Sequence, residues 1–270
     1  ETFDDADFGA SANQITNPSA YNSVNNANQT VYIRVTSQTT GCHVVVAVTL
    51  VANPTPEATT PDNLTQCDDN TDGIGVFNLN AVIPQVLGSI SAATHAVSFH
   101  STEAAAIAGN PSINNTNAYS NTTPNQEIVW VRVTNNTTGC FDVVSLTLVV
   151  HPNPVVNATS LSLCDVNNPG DQQEVFDLTA AITSIVSNPN GLSFAFYTSQ
   201  VNAQNGTNAI ANPTAYTNTS NVQAIWVVVT NDDTGCRNIT LLDLRVEPLP
   251  MVQLPTPLPR ECDADGDGFA

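Results

Sequence analysis

Two kinds of side chain in this sequence have the type and spacing to do chemistry: six cysteines and a recurring acidic loop. The loop is clearest at Asp263, Asp265 and Asp267, in DADGDG. Carboxylates at alternate positions, with glycine permitting a sharp turn, present oxygens in the manner of a calcium loop. The counterparts are Asp68, Asn70 and Asp72, then Asp165, Asn167 and Asp171 with one residue inserted. Calcium is the cofactor this pattern suggests, and an Asx-rich turn between two strands is the plainer alternative. An EF-hand loop also needs a bidentate Glu at its twelfth position, where Leu79 stands.

The cysteines recur in two fixed places. Cys42, Cys140 and Cys236 each follow Thr-Gly, at steps of 98 and 96, while Cys67, Cys164 and Cys262 each precede Asp, at steps of 97 and 98. Nothing nearby resembles a Cys-x-x-Cys metal site, so structural disulfides in an oxidising compartment are expected, from Cys67, Cys140, Cys164 and Cys236. Pairing inside each repeat, Cys67 with Cys140 and Cys164 with Cys236, is the favoured scheme. Neighbour pairing of Cys140 with Cys164, or a staple from Cys67 to Cys236, stays open beside it.

Other candidates carry less. Tyr32, Trp130 and Trp226 share one repeat position, beside Arg34, Arg132 and Val228. Exposed, such an aromatic would stack on a sugar ring; packed, it anchors a loop with arginine over its face, which is the favoured reading. His43, His95, His100 and His151 fall at unrelated positions, unlike a metal cluster. No nucleophile elbow, HExxH, P-loop or dinucleotide fingerprint occurs, so no enzymatic activity is expected.

The elements that would position these residues are set by one stretch, Val131 to Pro154, which recurs at Ile33 to Pro56 and Val227 to Pro250. A β-branched run meets a polar turn ending in Gly-Cys, then an alternating apolar run, then Pro-x-Pro: a closing hairpin and a stiff connector. The period divides the chain into the rear part of a repeat (1–53), two complete repeats (54–153 and 154–250) and the start of another (251–270), as if cut from a longer array. Each repeat of about 97 residues suffices for a two-sheet β core, so an all-β fold is expected. Period-two alternation assigns Val129, Val131 and Val133, with Leu146, Leu148 and Val150, to that core. Residues 80–90 and 178–187 suggest short helical crossings; the Asn-rich run up to Tyr119 reads as loop with one edge strand.

The charge excludes some partners. There are 24 acidic residues, five arginines and no lysine, for a net charge of −19. Such a surface repels nucleic acid and anionic membranes, and no apolar run is long enough to span a bilayer.

The motifs QCDDNTDGIGVFNL, ITNPSAY, VRVTNNTTGC and PNP, taken by their order and spacing within a repeat, resemble the tandem repeats of very large surface proteins of Bacteroidota. These are the gliding adhesins and related proteins exported by the type IX secretion system, and the resemblance covers essentially the whole chain. It implies tandem immunoglobulin-like β-sandwich repeats, location on the outside of the bacterial cell, and a stalk or adhesive filament serving gliding motility. Neighbouring repeats are then the first partners, followed by surface polysaccharide or other filament chains. Glycan-binding modules and spacer repeats of a secreted enzyme are the alternatives. An aromatic patch at Trp130 would mark the first, and a catalytic domain elsewhere in a longer chain the second.

Overall fold

The structure is a computed structural model, and it describes residues 2–9, 14–24 and 28–253. The expected start of a further repeat, with Cys262, Asp263, Asp265 and Asp267, lies outside the described residues. By internal contact the chain divides into two compact units. One takes the residues up to Leu64 with Val76–Thr122 and Gln126–Val149; the other takes Thr65–Gly75, Thr123–Asn125 and the residues from Val150 on.

In chain order, α1 (Phe3–Phe8) precedes the hairpin β1 (Asn28–Thr36) and β2 (His43–Val51). Next come β3 (Leu64–Asp68), β4 (Val76–Phe77), α2 (Ile83–Leu87), β5 (His95–His100), α3 (Glu103–Ala108), β6 (Tyr119–Ser120), β7 (Gln126–Asn135) and β8 (Phe141–Pro152). The third set is β9 (Thr159–Cys164), β10 (Val175–Phe176), α4 (Ile182–Ile185), β11 (Leu192–Tyr197), α5 (Gln200–Asn205), β12 (Tyr216–Thr217), β13 (Gln223–Asn231) and β14 (Arg237–Glu247).

The third repeat shows the architecture best. A four-stranded sheet has the order β11-β13-β14-β9, and β10 with β12 forms a second, short sheet. β11, β13 and β14 run antiparallel to one another, while β9 joins β14 in parallel. Reading β10 and β12 as strands B and E, and β11, β13 and β14 as C, F and G, gives the partition of an immunoglobulin-like sandwich, with the first strand laid alongside G. The second repeat repeats the pattern, with β5-β7-β8 antiparallel and β4 paired to β6.

Alternation decides what is buried. Val129, Val131, Val133, Leu146 and Leu148 are fully buried and Val150 nearly so, as the period-two reading requires. In the third repeat Ile225, Val227, Val229, Leu242, Leu244 and Val246 occupy the same face and pack with Phe176, Leu178 and Ile185. Ile33 and Val35, at the positions of Val131 and Val133, stay 50% and 57% exposed, since no third strand joins the β1–β2 hairpin among the described residues.

The expected helical crossings form as a 3-10 turn running into α2 and into α4. Pro84 is accommodated because it falls in the first helical turn, where its missing N–H has no partner to lose. The run before Tyr119 is more than loop. It contains α3, with Thr102 as N-cap accepting from the Ala105 N–H and Gly109 ending it in a left-handed conformation. α5 is built alike between Ser199 and Gly206, and α1 between Thr2 and Gly9.

Candidate functional site

The hairpin turn between the last two strands is shaped to present a cysteine. In the third repeat Asn231 Oδ1 accepts the Asp233 and Thr234 N–H groups, both at 3.0 Å, and Thr234 Oγ1 accepts the Cys236 N–H at 3.3 Å. Asn135, Thr138 and Cys140 repeat this geometry, and Ser37, Thr40 and Cys42 match it with a hydroxyl in place of the amide. The residue before each cysteine has φ between 72° and 74°, so Gly41, Gly139 and Gly235 cannot be replaced by a β-substituted residue without strain. The motif T-G-C is therefore a device for fixing a thiol at the end of the sandwich.

Cys236 is buried there and bonded to Cys67 on β3, with a Cα–Cα distance of 5.5 Å. This corrects the favoured pairing of Cys67 with Cys140 and of Cys164 with Cys236. The reason lies in the parallel register of the first and last strands. Cys164 sits opposite Glu247, at the far end of β14, whereas Cys236 immediately precedes its first residue, Arg237. Eleven residues of strand separate the two levels, about 36 Å, against the ~7 Å a disulfide spans. Each complete repeat thus carries one cysteine at each end of its sandwich. Cys42, Cys140 and Cys164 are free thiols in the structure; Cys140 Sγ lies 3.8 Å from the Asn53 carbonyl oxygen, so neighbour pairing of Cys140 with Cys164 is also not formed.

The acidic loops turn their carboxylates inward, onto their own backbone. Asp68 is buried and accepts the Asn70, Thr71 and Gly73 N–H groups at 3.3, 2.7 and 2.9 Å. Burial pushes its pKa up, but the backbone donors from Gly73, Asn70, Thr71 and Asp72 together outweigh it and hold the carboxyl below its ordinary value. Asp72 accepts the Ile74 N–H and the Asn70 side-chain amide.

The third repeat divides that work between two acids. Glu174 Oε1 accepts the Val166 and Asn167 N–H groups at 2.6 and 2.8 Å, while Asp165 Oδ2 accepts Gly170 N–H at 2.7 Å. The Asn167 and Val166 donors hold the Glu174 carboxyl below its ordinary value, against the opposing effect of burial. Asp165 Oδ1 has no hydrogen-bond partner among the described residues.

A calcium site needs six to eight oxygens converging on one point. Here the Asp68 oxygens are engaged by N–H donors, and no group of three or more His, Cys, Asp or Glu side chains gathers around a common centre among the described residues. Asp68, Asn70 and Asp72 take up the hydrogen bonds of an Asx-rich turn, and in the third repeat Asp165 and Asp171 likewise accept N–H groups of their own loop.

The aromatic position is half-buried in all three repeats. Trp226 packs with Ala195, Tyr197, Ala203, Val228 and Ile239 on the sheet face that α5 covers. Trp130 is half-buried at the corresponding position of β7. Arg132 does not cover Trp130: its guanidinium lies 3.4 Å from the Phe141 ring centroid. Its Nη1 donates to the Ala106 and Ile107 carbonyls at 2.7 Å each, capping the C-terminal end of α3. Arg34 does the same for α1 through Ala6 and Asp7. In the third repeat Val228 replaces that arginine, and Arg237, on the adjacent strand, reaches Gln204 O at 2.8 Å instead. His100 is fully buried, with its ring nitrogens 2.7 Å from Pro111 O and 2.9 Å from Ser98 Oγ.

Three tyrosines one repeat apart, Tyr21, Tyr119 and Tyr216, are latches. Tyr21 and Tyr216 accept from Gln29 Nε2 and Gln223 Nε2, each at 2.7 Å. Those glutamines also accept Val24 and Thr219 N–H, clasping the loop between the tyrosine and the next strand. In the second repeat Glu127 replaces glutamine, so Tyr119 donates, at 2.5 Å, and Thr122 N–H closes the clasp. Desolvation and the Glu127 carboxylate push the Tyr119 hydroxyl up to about 12. The recurring Tyr and Gln/Glu were visible in the sequence, but their partnership depends on strand pairing.

Comparison with known proteins adds the family. No curated protein matches the sequence. Solved structures resemble the chain only loosely: zebrafish RET cadherin-like domains 1 to 4 at 11% identity and TM-score 0.21, over 82% of this chain and 58% of that one; Drosophila N-cadherin EC1-4 at 10% and 0.20, over 82% and 58%; and the eight N-terminal immunoglobulin domains of Down Syndrome Cell Adhesion Molecule at 12% and 0.22, over 75% and 32%. The chain spans less than two thirds of each, and at such TM-scores it is the strand pairing, not the likeness, that establishes the fold. A disulfide between repeats fits an extracellular or secreted tandem-domain protein. With three consecutive matches, over residues 1–56, 63–154 and 160–250, the chain belongs to the Flavobacterium inter-domain disulphide bond domain family.

Proposed function

We propose that the chain is a structural segment of a bacterial cell-surface stalk or filament that presents an adhesive region elsewhere in the protein. The observation that carries this reading is the Cys67–Cys236 bond, which spans two successive repeats in place of closing one. A bond inside a domain stabilises that domain; a bond from one repeat to the next restrains the string, which is what a stalk requires and an isolated binding module does not. The chain's sequence resemblance to gliding adhesins extends the proposal to type IX export and to a part in gliding. Neighbouring repeats, surface polysaccharide or parallel filament chains are its partners. Surface labelling of intact cells with an antibody to residues 54–250 tests it: the epitope should be accessible without permeabilisation, and the isolated repeats should give no signal on a glycan array. An epitope reached only after lysis would remove the stalk reading, and specific glycan binding would replace it with the module alternative.

A further inference from the structure

Where the two bonded cysteines lie along the chain determines which residues a pull can reach. Cys67 and Cys236 are 169 positions apart, so 168 residues lie in a loop closed by the bond. We propose that the bond is a tension bypass: a force applied along the chain crosses from Cys67 to Cys236 and enters β14, leaving the interior of both repeats outside the strained path. This rests on the stalk reading and adds a mechanical function to it.

The strand layout shows what the path contains. From Cys236 the force runs along β14, Arg237–Glu247, which is held by β13 on one side and by β9, in parallel, on the other. β10, β11, β12, β13, α4 and α5 all fall between the bonded cysteines and carry none of it. β9 ends at the free thiol of Cys164, at the opposite end of β14 from Cys236. A bond of the same span from Cys164 would reach a T-G-C cysteine one repeat further on. The stretch from Cys140 through β8, the Pro-x-Pro connector and β9 to Cys164 would then form a second cable beside the first. Each sandwich would be crossed by two covalent strands running the same way, and its length would no longer depend on whether its core is folded. Ordinary tandem domains lengthen when they unfold; these would not.

Stretching single molecules of the whole chain, held at its two ends, tests the proposal after peptide mapping without reductant has located the bond. The 168 enclosed residues amount to roughly 550 Å of extended chain. The oxidised chain should extend by that much less than the reduced chain or the Cys67→Ser variant. Adding Val131→Asp to the oxidised chain should leave its final extension unchanged, even though one core is lost. Equal extension with and without reductant, in a chain whose bond has been mapped, would overturn the bypass and leave the stalk reading standing. Mapping that finds Cys67 and Cys236 unbonded would overturn both.

Discussion

The second and third repeats reach the same geometry with different residues. The helix after the C strand is capped by an arginine in both, supplied by β7 as Arg132 in one and by β14 as Arg237 in the other. The loop clasp is a carboxylate in one and an amide in the other, Glu127 against Gln223. In the acidic loop Asp68 accepts from Thr71 and Gly73 in the second repeat, while Asp165 and Glu174 share that part in the third. What the two repeats share is a position in space to be filled by a donor or an acceptor. The residue that fills it is free to move to a neighbouring strand, as long as its side chain reaches.

The comparison can be broken or sharpened by substitution. The largest effect is expected in the parts the repeats hold in common: Val131→Asp or Val229→Asp places an unpaired carboxylate in a closed core and should cost more than about 5 kcal/mol. Thermal melting should show one repeat lost in each case, and an unchanged melt would mean the faces are misassigned. Cys67→Ser comes next. Opening a loop of 169 positions corresponds to about 5 kcal/mol in the chain-entropy model, with engineered cases usually giving less. Guanidinium chloride unfolding should register that loss under oxidising conditions and none under reducing ones.

The arginines separate the repeats. Arg132→Leu, which loses two carbonyl bonds and the Phe141 ring, should cost about 2 kcal/mol, and Arg237→Leu, with one exposed bond, about 1 kcal/mol. The double change Val228→Arg with Arg237→Leu tests interchangeability directly, because it should recover the smaller loss. A variant no better than Arg237→Leu alone would show that the two arginine positions are not equivalent.

The smallest effects are in pH dependence. Tyr119 is held neutral in the folded protein, with its hydroxyl raised from 10.0 to about 12. Its contribution is therefore complete below pH 10 and is lost as pH rises toward 12. Glu127→Gln, which converts this latch to the form in the third repeat, should flatten the alkaline limb of a stability-versus-pH curve. Asp68 has the opposite sense. Its lowered carboxyl favours the folded state above the ordinary carboxylate range, and the benefit disappears as pH falls through the folded value. Asp68→Asn should therefore reduce the acid sensitivity of the second repeat, measured by the melting temperature between neutral and acid pH.

The sequence made some of this legible and hid the rest for physical reasons. Period-two alternation is a local property of a strand, so the buried face of Val129, Val131 and Val133 followed from the residues alone. The T-G-C turn is local too, being held by side chains two and three residues away. Disulfide partnership is not local: it follows from β9 lying parallel to β14, which sends Cys164 to the end opposite Cys236. α3 and α5 escaped because six residues make too short a run for a periodicity to emerge, although Thr102 with Gly109 and Ser199 with Gly206 mark their ends. The inward turn of the Asp68 carboxylate was hidden too, because alternate carboxylates look the same in a sequence whether they face a cation or their own amides.

The placing of one cysteine at either end of the sandwich has a consequence for copy number. Were every unit joined to the next as Cys67 is to Cys236, duplicating or deleting a whole unit would leave each internal sulfur facing a partner of the right kind. The two left over would then sit at opposite extremes of the series. Such a gene could grow or shrink by recombination without producing a mispaired interior.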